Sequence, residues 1–196
     1  MFQSVTKKKR RRTGFIWIIV IIILLGLIPL AKIGFNQFRL WYYPTKYADF
    51  VEREADACGF PPSLIYGIIH TESHFNADAI SSANAKGLMQ LTDDTYRWAR
   101  RRLGEDKGNP NELFDPATNI HYGTTVLSLL RQRFSDTNTM LAAYNAGQGR
   151  VNSWLDDAAY SDDGVTLHTI PYEETADYVR RVLTAQKRYQ QIYNIP

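Results

Sequence analysis

The stretch SLIYGIIHTESHFNADAISSANAKGLMQLT (Ser63–Thr92) decides how the rest of the chain is read. It begins as an apolar helical run, opened by Pro61-Pro62 and ending near Glu72. A carboxylate placed after Leu64, Ile65, Tyr66, Ile68 and Ile69 is carried partly into the interior by its own helix. Desolvation disfavours its charged form and raises its pKa. The negative end of the helix dipole pushes the same way. Both effects suit an acid that keeps its proton near neutral pH and donates it to a leaving group, and glycoside cleavage is the usual setting. No obvious second acid faces Glu72. The plain alternative is a solvated glutamate at a helix terminus.

Working outward, helical periodicity dominates. Tyr47 to Cys58 places Phe50, Val51, Ala55 and Cys58 on one side, and Gly59 stops it. Leu88 to Leu103 is expected as a further helix, with Leu88, Leu91, Thr95 and Trp98 on one face. Asp115-Pro116 is an N-cap followed by proline in the first turn, and the face beyond it runs Ile120, Gly123, Leu127, Leu130, Phe134. Asn138 to Tyr144, Arg150 to Leu155 and Glu173 to Tyr193 complete the set, and GVTLHTI (Gly164–Ile170) is a candidate short strand. The expected class is all-α: a compact multi-helix domain over residues 47–195, with several helices too short for a regular bundle.

The N-terminal part is different in kind. Residues 1–32 carry Lys7, Lys8, Lys9, Arg10, Arg11, Arg12 and Lys32 and no acid, while the whole chain has a net charge of +3. The remainder is therefore mildly acidic, which argues against nucleic acid as its partner. After a basic tail (1–14), Phe15 to Ala31 contains no charge. A helix of that length is ~26 Å long against a ~30 Å hydrocarbon core, and Trp17 with the flanking cations can bridge the difference. The expectation is a single-pass membrane anchor over 15–31, N-terminus cytoplasmic, with the domain exported to the extracellular or periplasmic side. A cleaved signal peptide is the competing reading, but the apolar run is long and no A-x-A site follows. Residues 32–46 read as an aromatic juxtamembrane stalk. The one cysteine, Cys58, has no internal disulfide partner.

Four ordered blocks carry a resemblance. Glu72-Ser73, Ser81 nine residues after the glutamate, and Gly87-Leu88-Met89-Gln90 resemble the catalytic segment of lytic transglycosylase domains of the soluble (SLT) type. AYNAG (Ala143–Gly147) is similar to that family's next signature, and Pro171, Glu174-Thr175 and Tyr178-Val179 to its last. LFDPATNIHYG resembles its Asp-Pro-x-x-Asn-Ile helix start. The resemblance implies a fold like that of goose-type lysozyme and cleavage of the β-1,4 bond from N-acetylmuramic acid to N-acetylglucosamine in peptidoglycan strands. It implies Glu72 as the single acid and base, with the substrate's 2-acetamido group stabilising the cationic centre. The muramic 6-hydroxyl then attacks and leaves a 1,6-anhydro end. The absent partner acid fits, because no water has to be activated.

By the same resemblance Ser81, Met89, Gln90, Tyr144, Asn145, Glu174 and Tyr178 are candidate substrate-binding residues. The plainer readings are a loop serine for Ser81, a packing or capping side chain for Gln90, a wall for Met89 and a core aromatic for Tyr144 or Tyr178. Glu174 has the plain role of a first-turn helix charge. At Asn84-Ala85 the chain departs from the family's common Gly-Ala, and asparagine tolerates the left-handed backbone such a loop would need better than most non-glycine residues.

His70, His74, His121 and His168 lack H-E-x-x-H spacing, so neither metal nor cofactor is expected. Asp93-Asp94 read as early-helix charges rather than a second acid. Two rival functions remain: a muramidase that hydrolyses the bond on the same fold, and a non-catalytic wall-binding scaffold recruiting an unknown cell-wall synthesis machinery.

Overall fold

The computed structural model describes residues 15, 17, 26–105 and 108–196, and divides the chain into Met1–Pro44 and Thr45–Pro196. In the first unit residues 26–42 are helical. Phe35, Phe38 and Trp41 are exposed, and the Phe38 and Trp41 rings pack on each other at 5.9 Å. No helix among the described residues is long and apolar enough to cross a membrane. Most of the span expected over 15–31 lies outside the described residues, as does the basic tail.

Among its described residues the second unit is built of seven α-helices and one 3-10 turn: α1 Ala48–Cys58, α2 Pro62–Ser73, α3 Asp93–Arg102, the turn Pro110–Phe114, α4 Pro116–Arg133, α5 Thr137–Ala146, α6 Gln148–Leu155 and α7 Glu173–Tyr193. Their starts are written locally. The side chains of Thr92, Asp115 and Asp136 accept from the backbone N–H of Thr95, Thr118 and Thr139, satisfying donors that a helix start leaves free. In α3 Asp93 and Asp94 lie in the first turn and Arg100, Arg101 and Arg102 in the last, both favoured by the helix dipole. Gly59 ends α1 with φ 65°.

Helix α2 is buried at every position from Ser63 to His70, so it runs through the core. Its main neighbour is α7, and the two backbones meet at Gly67. A Cβ there would stand 2.9 Å from Val182 O and 3.0 Å from Gln186 N, so only glycine allows this approach. Tyr66 and Tyr189 stack across the same seam at 5.1 Å. Helix α1 packs on α4, and α5 touches α4, α6 and α7.

Two expectations are corrected. The third helix begins at Asp93, five residues later than its pattern indicated, because Gly87 and Gln90 hold φ of 74° and 50°, which no α-helix admits. Leu88, Met89 and Leu91 are buried all the same, as a loop rather than a helical face. The candidate strand at Gly164–Ile170 is irregular chain, and among the described residues there is no strand, only isolated bridges joining Ile80, Lys86 and Leu91. Asp163 takes the backbone N–H groups of Val165 and Thr166, which a ladder would otherwise have used.

Candidate active site

Glu72 is the penultimate residue of α2, where a buried helix reaches the surface. Immediately beyond it the backbone is unusual. His74, Phe75, Asn84 and Gln90 all have positive φ, so four non-glycine residues between Glu72 and Leu91 take a conformation that costs energy. Asn84, at 58°, occupies the left-handed region its sequence position called for.

The loop is held by side chains rather than by regular structure. Asn119, buried on α4, accepts from Met89 N–H at 2.7 Å and donates to Lys86 O at 2.9 Å and Leu113 O at 2.8 Å. A Cβ on Gly87 would fall 2.2 Å from the Asn119 amide nitrogen. Ser73 donates to Leu88 O at 2.8 Å, tying the end of α2 to the loop directly beside Glu72. Tyr144, near the end of α5, donates to Met89 O at 2.9 Å. Buried Lys86 is paired with Asp93. The Gly-Leu-Met-Gln segment is thereby fixed from three helices, α2, α4 and α5.

Burial pushes the Glu72 carboxyl up to about 7, while the Tyr178 hydroxyl and the Arg181 guanidinium pull it back down. Among the described residues, the groups that act on it most are this hydroxyl and this guanidinium, not a carboxylate. Asp93 is engaged by Lys86 and, at 3.9 Å, by Arg97; exposed Asp94 pairs with Arg97 at 3.3 Å. Tyr144 and Tyr178 are held well above the ordinary tyrosine range by burial and by the Glu72 charge, so both hydroxyls keep their protons. Tyr178 Oη is buried, lies toward Glu72, and makes no hydrogen bond of ordinary geometry. It is a donor held ready beside an acid.

The other sequence candidates separate into two groups. Ser81 Oγ accepts from Ala83 N–H at 3.2 Å and Ala85 N–H at 3.1 Å, and so shapes the loop. Gln90 donates to Gly87 O at 2.8 Å and Ala79 O at 3.2 Å, leaving its amide oxygen free of these bonds. The Met89 side chain is fully buried with its sulfur against Gly123, so what it offers the site is its backbone, a correction to its expected place on the wall. Asn145 and Glu174 are exposed, with Glu174 in the first turn of α7.

Beside Tyr144 lies a cavity of about 260 Å³, lined by Thr95, Trp98, Val126, Leu130 and Gln148 among others. Trp98 therefore belongs to a cleft wall and not only to a core face. Sequence reasoning missed Asn119 and Arg181. Asn119 stood inside a quoted motif, and Arg181 continues the spacing Glu174, Tyr178, Arg181 along one helix face. Among the described residues no three His, Cys, Asp or Glu groups converge to hold a metal.

The family model "Transglycosylase SLT domain" matches residues 49–165. The soluble lytic murein transglycosylase of Escherichia coli (strain K12) is 34% identical over 151 residues, covering 76% of this chain and 23% of that protein. Membrane-bound lytic murein transglycosylase C of Histophilus somni (strain 2336) is 35% identical over 175 residues, covering 76% and 47%. The crystal structure of an inactive mutant of lytic transglycosylase Slt from Pseudomonas aeruginosa superposes with a TM-score of 0.69 at 36% identity, covering 79% of this chain and 25% of that one. The chain thus spans between about a quarter and a half of the length of these relatives.

Proposed function

This chain belongs to the transglycosylase SLT domain family, and on that premise we propose that it cleaves peptidoglycan glycan strands without water, at the bond from N-acetylmuramic acid to N-acetylglucosamine. The observation that carries the reading is Glu72: half-buried at the end of a core helix, its carboxyl pushed up to about 7, with a tyrosine and an arginine rather than a carboxylate as the charged or polar groups that act on it most among the described residues.

Glu72 donates its proton to the glycosidic oxygen as the C1–O bond breaks. The acetamido oxygen of the same muramic residue closes on C1 and carries the positive charge. Glu72, now a carboxylate, takes the proton of the 6-hydroxyl as that oxygen attacks C1, which leaves a 1,6-anhydro end and returns the acid to its starting form. Two-carboxylate glycosidases need a second acid for water or for a covalent intermediate, and substrate assistance removes both needs. Tyr178 is placed to donate to the Glu72 carboxylate between the two steps. Tyr144 orients the acetamido group beside Met89 O. Ser81 and Gln90 hold the loop and present hydroxyl and amide oxygen to sugar, while exposed Asn145 and Glu174 reach the strand from the rim.

The lytic murein transglycosylase names of the relatives support the reading, and the membrane-bound name of one supports a wall-facing enzyme at the membrane. The remaining assignments belong to the same proposal: basic tail 1–14, single-pass anchor 15–31, stalk 32–46 and catalytic domain 47–195. The test is digestion of purified walls with wild type and Glu72→Gln, read by mass spectrometry. Anhydro-muramic ends made by wild type alone are expected. Reducing ends would make it a hydrolase, and digestion unchanged by the substitution would overturn the role of Glu72.

A further inference from the structure

Helix α7 brings one more group to the site. Glu174, Tyr178 and Arg181 follow at i, i+4 and i+7, so they share one edge of α7, beside the buried stripe of Thr175, Tyr178, Val182 and Ala185. That edge meets the end of α2, and Arg181 acts electrostatically on both Glu72 and Tyr178. Arg181 is exposed. Its neighbours on the helix are engaged, Arg180 with Asp177 at 2.8 Å and Arg188 with Gln191 at 3.2 Å, whereas Arg181 has no ion pair or hydrogen bond among the described residues. It closes no ion pair with Glu72 among the described residues, and burial, which outweighs its pull, keeps that acid's pKa raised. A guanidinium fork beside an active acid, without a protein carboxylate to bind, is a vacant site for a substrate carboxylate.

We propose that Arg181 is a substrate-positioning residue that binds a free carboxylate of the peptide stem carried by the muramic residue, and so sets the preference for stem-bearing over neutral glycan. The proposal rests on the peptidoglycan reading above. Muramic residues carry their stems on the lactyl group, so a strand cleaved at Glu72 brings a stem carboxylate into the neighbourhood of the α7 edge that bears Arg181. Arg181 touches no reacting atom in this scheme; it fixes the register of the strand.

The test pairs two enzymes with two substrates, in the manner of a double-mutant cycle. The full chain and its Arg181→Ala variant are each given uncrosslinked glycan strands with stem carboxylates free, and the same strands with those carboxylates converted to neutral methylamides. On free carboxylates, Arg181→Ala is expected to lower kcat/KM about tenfold, mainly through KM, as for loss of one charge-assisted contact. On the methylamides the two enzymes, each compared at its own pH optimum so that the effect of Arg181 on the Glu72 pKa cancels, should agree within about twofold, and Arg181→Lys should recover part of the loss on free carboxylates only. Equal losses on both substrates, with a shifted pH profile, would mean that Arg181 merely tunes Glu72 and would overturn the proposal. No loss on either would overturn it too. In both cases wild type still digests the strands, so the glycan reading stands; a wild type that digests neither substrate refutes that reading and this one together.

Discussion

Replacing Glu72 with glutamine should abolish activity and at the same time stabilise the fold, in a strongly pH-dependent way. The carboxyl sits at about 7 in the folded chain against an ordinary value of 4.5, because burial penalises its charge. The folded state therefore holds a proton that the unfolded chain gives up at lower pH. Where the unfolded chain binds fewer protons than the native one, stability falls as pH rises. The loss begins near 4.5, grows through the interval and levels off above about 7. At ~1.36 kcal/mol per pH unit this amounts to about 2 kcal/mol at pH 6 and about 3 kcal/mol at pH 8. Glutamine does not titrate, so the variant escapes the loss. For a domain of this size it should melt roughly 6–12 °C above wild type at pH 8, with the difference fading toward pH 4. Thermal melts of both full-length proteins from pH 4 to pH 9 measure this directly. A difference in melting temperature that stays constant across the range would show that Glu72 titrates as an ordinary surface carboxylate, and would refute the raised pKa on which its acid role depends.

Two further outcomes follow from the same geometry. Tyr178→Phe removes a buried hydroxyl that makes no ordinary hydrogen bond and that pulls the Glu72 pKa down. The alkaline limb of the pH–rate profile should move to higher pH, with stability unchanged or raised by ~1 kcal/mol; a shift to lower pH would contradict the assigned contact. Asn119→Ala strips three buried hydrogen bonds from Met89 N–H, Lys86 O and Leu113 O. A cost of roughly 3–5 kcal/mol is expected in urea titrations, with activity reduced because the anchors of Ser73 and Tyr144 lie on the same loop; a cost under ~1 kcal/mol would mean that the clamp is dispensable.

Much of the fold was legible because its signals are short-range. Asp115 caps α4 within one turn of itself, and Gly59 ends α1 by supplying a positive φ. The place of Glu72 at the end of a core helix was legible too, from the apolar run that carries it inward. The loop at Gly87–Gln90 was not read correctly, because Leu88 and Leu91 keep apolar spacing while the backbone there is fixed by Asn119, 30 residues away from Met89. Met89 illustrates the same limit: the motif marks the position, but packing against Gly123 decides that its backbone and not its sulfur faces the site.

The sequence alone determined most of the helices, some of their ends and the candidate acid, since propensity, capping and apolar period act over a few residues. Only the tertiary structure decided how that acid behaves. Its pKa depends on how much water the packing of α2 against α7 removes, an approach that Gly67 permits. It depends, to a smaller degree and in the opposite direction, on Tyr178 and Arg181, which lie more than 100 residues further along the chain and reach Glu72 only when the two helices meet. Desolvation and Coulomb interaction are set by distance in space, and spacing along the chain does not encode them.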